Sequence, residues 1–156
     1  MEKMPITPKG LARLQEELRR LKTVERPTVI RALEEARTHG DLSENAEYHA
    51  ARDRQSFIEG RVAQLEDKIR RAEVIDVTKL KGKAVKFGAT VDLVDVDTDE
   101  EVTFQIVGAE ESDITSGKLS IISPLARALI GKEVGESVEV STPRGSKVYE
   151  IQKVRF

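Results

Sequence analysis

The stretch GDLSENAEYH, residues 40–49, sets two carboxylates, Asp41 and Glu44, three positions apart between two long helix-patterned segments. That spacing serves two chemistries. In one, Asp41 caps a helix and Glu44, at the third helical position, reaches back to the cap amide. In the other, both acids are hard oxygen donors for Mg²⁺. Local pattern alone favours the cap. The two are compatible, because a capped turn is rigid and a rigid turn can present carboxylates outward. Two carboxylates alone hold magnesium poorly, since the ion keeps several waters and takes further ligands from phosphates or other acids. A metal role at this turn therefore requires a partner that completes the shell.

The neighbouring residues add to either reading. Arg37 precedes the turn and Arg52 follows it. They can form surface ion pairs of modest worth, or use their planar forks on phosphate oxygens. Tyr48 can stack on a base, but packing is the simpler use of its ring. His39 and His49 flank the turn without the HExxH spacing of a zinc helix, so a zinc site is disfavoured.

The segments around the turn must position it. Thr7 followed by Pro8 is a helix start, a hydroxyl cap with proline at the first helical position. Leu11, Leu14, Leu18 and Leu21 then recur at heptad spacing. Val29, Ile30, Leu33 and Ala36 resume the stripe beyond Pro27, where a bend or local break is expected near ERP. Gly40 ends this limb. A second helix is expected from about Asn45 to Glu73, with Ala51, Gln55, Ile58, Val62, Leu65, Ile69 and Ala72 as its seam. Two seams joined by a short turn make an antiparallel helical hairpin. Thirty helical residues reach ~45 Å. No convincing strand is expected within residues 1–75.

From residue 76 the period changes to two. Strands are expected in ATVDLVDV (89–96), VTFQIV (102–107), KLSII (118–122), ESVEVST (136–142) and KVYEIQKV (147–154), and a short helix in SPLARALIG (123–131), capped by Ser123 and Gly131. The fold class is α+β with two domains: a helical hairpin over 1–75 and an antiparallel sheet with one short helix over 76–156. DVDTDEEVTFQI (95–106) fails as a calcium loop, because Glu100 stands where glycine is needed and Ile106 where glutamate is needed. It reads as a hairpin turn. No glycine-rich phosphate loop and no nucleophile elbow is present.

Composition narrows the class of function. The 156 residues are 38% hydrophobic and 35% charged, with 4% aromatics and no Trp, which disfavours a large aromatic-lined pocket. The absence of Cys excludes disulfides and thiolate chemistry. No apolar run approaches a membrane span, and a soluble cytoplasmic protein is expected. With 26 basic against 28 acidic residues, binding nucleic acid by bulk charge is disfavoured. The hairpin half nonetheless carries 15 Lys and Arg against 14 Asp and Glu, most of the basic residues being arginine.

EARTHGDLSENAEYHAARDRQSFIEGRVAQLEDKI resembles the signature region of the bacterial Gre transcript-cleavage factors of the GreA type, and VIDVTKL, FGATVDLVD and SPLARALIGKEVGESVEVSTPRGSKVYEIQKV resemble the rest of that family. The resemblance spans essentially the whole chain. It implies a coiled-coil hairpin joined to an FKBP-like globular domain, acting on bacterial RNA polymerase as a transcription elongation factor. The hairpin would enter the secondary channel and stimulate the polymerase's own cleavage of the nascent RNA 3′ end in backtracked complexes. The protein would thus be no enzyme by itself.

The same resemblance makes Asp41 and Glu44 the tip acids that share Mg²⁺ with polymerase, without tight metal binding by the isolated protein. It gives Arg37, Asn45, Tyr48 and Arg52 a role in orienting RNA or polymerase loops, and Ser123, Pro124 and Arg127 a role in docking on polymerase. A monomer is expected. The intact turn implies the cleavage-stimulating branch rather than inhibitory relatives. A prolyl isomerase is the competing enzymatic reading, but Phe87, Phe104, Tyr149 and Phe156 are too few aromatics for a proline pocket. A hairpin acting only as a structural clamp is the third, and it gives the acids no use beyond capping.

Overall fold

Pro8 begins the first helix because its missing amide is not needed there, and the Thr7 hydroxyl accepts the Gly10 amide at 3.0 Å. The computed structural model describes residues 2–40 and 44–156. Helix α1 (Pro8–Arg20) passes into a π-helical turn, Leu21–Glu25, and then into α2 (Arg26–Arg37). The break expected near Pro27 is this wider turn. The Arg26 amide reaches five residues back to the Leu21 carbonyl, and Pro27 falls in the first turn of α2. The hydroxyls of Thr23 and Thr28 donate to the carbonyls of Arg19 and Val24, at 2.8 and 2.7 Å.

Helix α3 (Ala46–Arg71) forms the second limb. Val29 packs with Ile58 and Val62, and Leu33 and Ala36 with Tyr48. Val29, Leu33, Ile58 and Val62 each contribute about 1.5–3 kcal/mol when fully withdrawn from water. Ile30, placed by pattern in the stripe, is instead exposed. Ion pairs bridge the limbs on their flanks: Glu17 with Arg61 at 2.6 Å, Arg26 with Glu59 at 2.6 Å, Lys22 with Glu66 at 2.7 Å and Glu25 with Arg54 at 3.1 Å. They lie at the surface and add register more than stability.

Two strands depart from expectation. β1 (Met4–Ile6) and β2 (Ala72–Val74) form a small two-stranded sheet. Three residues are too few for a period of two to register, and β2 begins on the last residue of the expected helical seam. Ile6 is fully buried, and its carbonyl accepts the Ile75 amide at 2.9 Å. By contacts the chain divides into a unit of Leu11–Ala72 and a second unit that joins Lys3–Gly10 to Glu73–Phe156.

The second unit is built on a five-stranded sheet. Strands β3 (Thr90–Asp95), β4 (Glu101–Val107), β5 (Lys118–Ser120), β6 (Ser137–Thr142) and β7 (Gly145–Arg155) lie in the order β5-β4-β3-β7-β6. The expected antiparallel sheet is corrected to a mixed one, because β4 and β5 run parallel. Between them two 3-10 turns, Ala109–Glu111 and Ile114–Ser116, bring the chain round so that β5 runs in the same sense as β4. Alternation reports which face a residue takes and is silent on strand direction. Val91, Leu93, Ile106, Val138, Val140 and Ile151 make the core with Ala126 and Leu129 of α4 (Pro124–Leu129). The acidic turn between β3 and β4 is a hairpin turn, as read. Asp95 Oδ1 accepts the Asp97 amide at 2.9 Å, and Asp99 takes the left-handed conformation.

Candidate functional site

One side chain bridges the two helix ends that flank the turn of the hairpin. α2 closes with Thr38, whose amide and hydroxyl both donate to the Glu35 carbonyl, at 3.1 and 2.6 Å. The His39 amide donates to Ala36 at 3.1 Å, and Gly40 then takes φ 111°, a region that favours glycine. α3 opens at Asn45, which is its N-cap: Asn45 Oδ1 accepts the Tyr48 amide at 3.0 Å. The same amide group donates from Nδ2 to the Ala36 carbonyl at 2.7 Å. Asn45 thus satisfies an orphan donor of α3 and adds a further donor to a carbonyl in the last turn of α2.

This geometry corrects the capping-box reading. The cap of α3 is Asn45, so Glu44 stands just outside the helix and not at its third position. Glu44 is exposed and has no hydrogen-bond or ion-pair partner among the described residues. Asp41 lies outside the described residues. A surface depression of about 430 Å³ beside the turn is lined by His39, Glu44, Asn45, Ala46 and Glu47. Among the described residues no group of three metal-binding side chains gathers. Glu44 is a free, hard oxygen donor of the kind magnesium accepts, and a complete shell needs ligands from elsewhere.

Behind the turn, Tyr48 is buried and packs on Leu33, Ala36 and Ala51. The Arg37 guanidinium lies 5.9 Å from the ring centroid, and the His49 ring meets its edge. Hydrogen bonds from Arg37 and then Arg52 hold the Tyr48 phenol below the ordinary tyrosine range. The structure therefore sets Arg37 against the Tyr48 ring, with Arg52 also acting on its phenol. Sequence reading missed the part Asn45 takes in the turn, although asparagine three residues before Tyr48 is a cap signal in its own right.

Ser123, Pro124 and Arg127 sit at the start of α4, in the second unit. The Ser123 hydroxyl accepts the Ala126 amide at 3.2 Å and donates to the Ser120 carbonyl at 2.7 Å, so it is engaged within the fold. Pro124 and Arg127 are exposed, and Ile122 beside them is 60% exposed. No helix among the described residues is long and apolar enough to cross a membrane.

Two family models account for nearly the whole chain. Residues 4–74 match "Transcription elongation factor, N-terminal", and residues 80–156 match "Transcription elongation factor, GreA/GreB, C-term". The transcription elongation factor GreA of Rhodospirillum rubrum is 64% identical over 156 residues, all of this chain and 99% of that protein. That of Caulobacter vibrioides is 67% identical over the same span, with the same coverage. Among solved structures, the GreA factor homolog 1 protein of Thermus thermophilus is 26% identical, with a TM-score of 0.45 over 99% of this chain and 100% of that one. The chain thus belongs to the GreA/GreB family of transcription elongation factors.

Proposed function

We propose that the protein binds bacterial RNA polymerase as a monomer, places the turn of its hairpin in the secondary channel and stimulates cleavage of the 3′ end of backtracked nascent RNA. The observation that carries this reading is the exposed Glu44 carboxylate beside a turn that Asn45 ties to both helices, in a chain of this family. Asp41 and Glu44 are the carboxylates that would hold magnesium jointly with polymerase. When bound there, the ion would supply a polarised water and counter-charge for phosphodiester hydrolysis.

The chain's own residues then have distinct tasks. Asn45, next to Glu44, ties the start of α3 to the last turn of α2. Arg37 and Arg52, which both act on the Tyr48 phenol, offer cations to the RNA backbone or to an acidic polymerase loop. Pro124 and Arg127 offer an exposed contact for docking on polymerase, while Ser123 holds the turn that carries them. The overall reaction adds water across one phosphodiester bond, and the new RNA 3′ oxygen leaves with a proton.

The test uses stalled, backtracked polymerase with Mg²⁺. The wild-type protein shortens the RNA at its 3′ end. Asp41→Asn and Glu44→Gln compete with wild type for polymerase but lose most of the cleavage. Undiminished cleavage by the double variant would overturn the metal role.

A further inference from the structure

Glu111 is a buried carboxylate that the hairpin turn does not use. It ends the 3-10 turn that follows β4 and is 8% exposed. One oxygen accepts the Gly108 amide at 2.9 Å and the Thr7 amide at 3.1 Å, and the other accepts the Thr7 hydroxyl. Thr7 in turn accepts the Gly10 amide, so the carboxylate stands at the start of α1, where negative charge is favourable. The carboxylate's three partners, two amides and a hydroxyl, are all neutral.

The surrounding backbone is shaped for this group. A Cβ on Gly10 would overlap the Glu111 carboxylate, and a Cβ on Gly108 would lie 2.5 Å from the Pro5 carbonyl. The chain from Met4 to Gly10 is therefore a close-fitting strap on the second unit. Its other edge is β1, paired with β2, where the Ile6 carbonyl accepts the Ile75 amide. The two limbs of the hairpin leave from these two strands, α1 after β1 and α3 before β2.

We propose that Glu111 is a positioning residue that latches this strap, so that its loss opens the β1–β2 pairing at the root of the hairpin and not merely its own contacts. The functional side rests on the cleavage reading above. It predicts that an unlatched root lowers the maximal cleavage rate more than it raises the concentration needed for half-maximal effect.

Amide hydrogen exchange in the full-length protein tests the latch directly. The Ile75 amide bonds the Ile6 carbonyl and not Glu111, so it separates a latch from a local contact. In Glu111→Ala, exchange at Thr7, Gly10 and Ile75 is expected to speed up roughly tenfold or more, the scale of losing a buried charge-assisted bond. Thr7→Val should reproduce the Ile75 effect, and Thr7→Ser, which keeps the hydroxyl, should restore protection. If Thr7 exchanges freely while Ile75 stays protected as in wild type, the latch is overturned. If Glu111→Ala does not fold, Thr7→Val and Thr7→Ser decide alone. Wild type that fails to stimulate cleavage would sink the functional reading, while the exchange data still judge the latch.

Discussion

The side-chain amide of Asn45 donates to the carbonyl of Ala36 at 2.7 Å, joining the last turn of α2 to the cap of α3. Glu44 stands directly before Asn45, whose own side-chain oxygen is committed to the Tyr48 amide.

Asn45 can be tested by splitting its two bonds. Asn45→Asp keeps the cap acceptor for Tyr48 but loses the donor to Ala36. Asn45→Ala loses both and should lower stability by about 1 kcal/mol or somewhat more. Both should cleave more slowly than wild type in the backtracked-complex assay, with Glu44 intact. Wild-type cleavage by Asn45→Asp would show that the Ala36 bond is dispensable.

Tyr48 should titrate early. Hydrogen bonds from Arg37 and Arg52 favour the phenolate, so its folded pKa lies below the ordinary value of about 10. In a Tyr149→Phe background the tyrosinate absorbance reports Tyr48 alone, since the chain has 2 Tyr. The sign follows from linkage. The stabilising contribution is absent while the phenol is protonated, grows as pH rises through the folded pKa and is complete above the unfolded one. Arg37→Gln or Arg52→Gln should move the titration upward, and an unchanged midpoint in both would refute the pairing.

The hairpin should weaken in acid. The Arg61 hydrogen bond lowers the Glu17 pKa against the opposing effect of burial, and Arg26 and Lys22 likewise lower Glu59 and Glu66. Each contribution is present above the unfolded glutamate pKa of about 4.3 and is lost as pH falls through the depressed folded value. Thermal melts from neutral pH to below that range should therefore show a falling Tm. Glu17→Gln should flatten part of the slope, and high salt should shrink it. A slope unaffected by either would mean that these pairs contribute nothing.

Ser123 and Arg127 should behave differently. Ser123→Ala removes the cap of α4 and should cost about 1 kcal/mol of stability. Arg127→Glu touches an exposed side chain, so it should leave Tm near wild type while weakening polymerase binding. Equal polymerase affinity for Arg127→Glu and wild type in a competition assay would remove it from the docking surface.

Much of this architecture is legible in the spacing of apolar residues. Leu33, Ile58 and Val62 recur at helical intervals, and Val91, Leu93, Val138 and Val140 at strand intervals, and all are buried. What spacing leaves open is physical in each case. β1 and β2 are too short to set up a period. The parallel sense of β5 depends on turns that have no alternation. Asp41, Glu44 and Asn45 all suit a helix start by type, and only the backbone decides that Asn45 takes the cap. Glu111 looks like any surface acid until Thr7 is seen beside it.

The π-helical turn at Leu21–Glu25 has the character of a skip residue. Up to Leu21 the seam keeps heptad frame, which would continue through positions 25, 28, 32 and 35. The buried residues beyond it are Val29, Leu33 and Ala36, one place later. A turn that closes on the fifth residue absorbs one extra amino acid without leaving the helix. Deleting a single residue between Leu21 and Glu25 should therefore be tolerated as plain α-helix, whereas inserting one there would rotate Val29, Leu33 and Ala36 away from α3. The first limb is thus a splice of two frames, and its length is adjustable by one residue in one direction only.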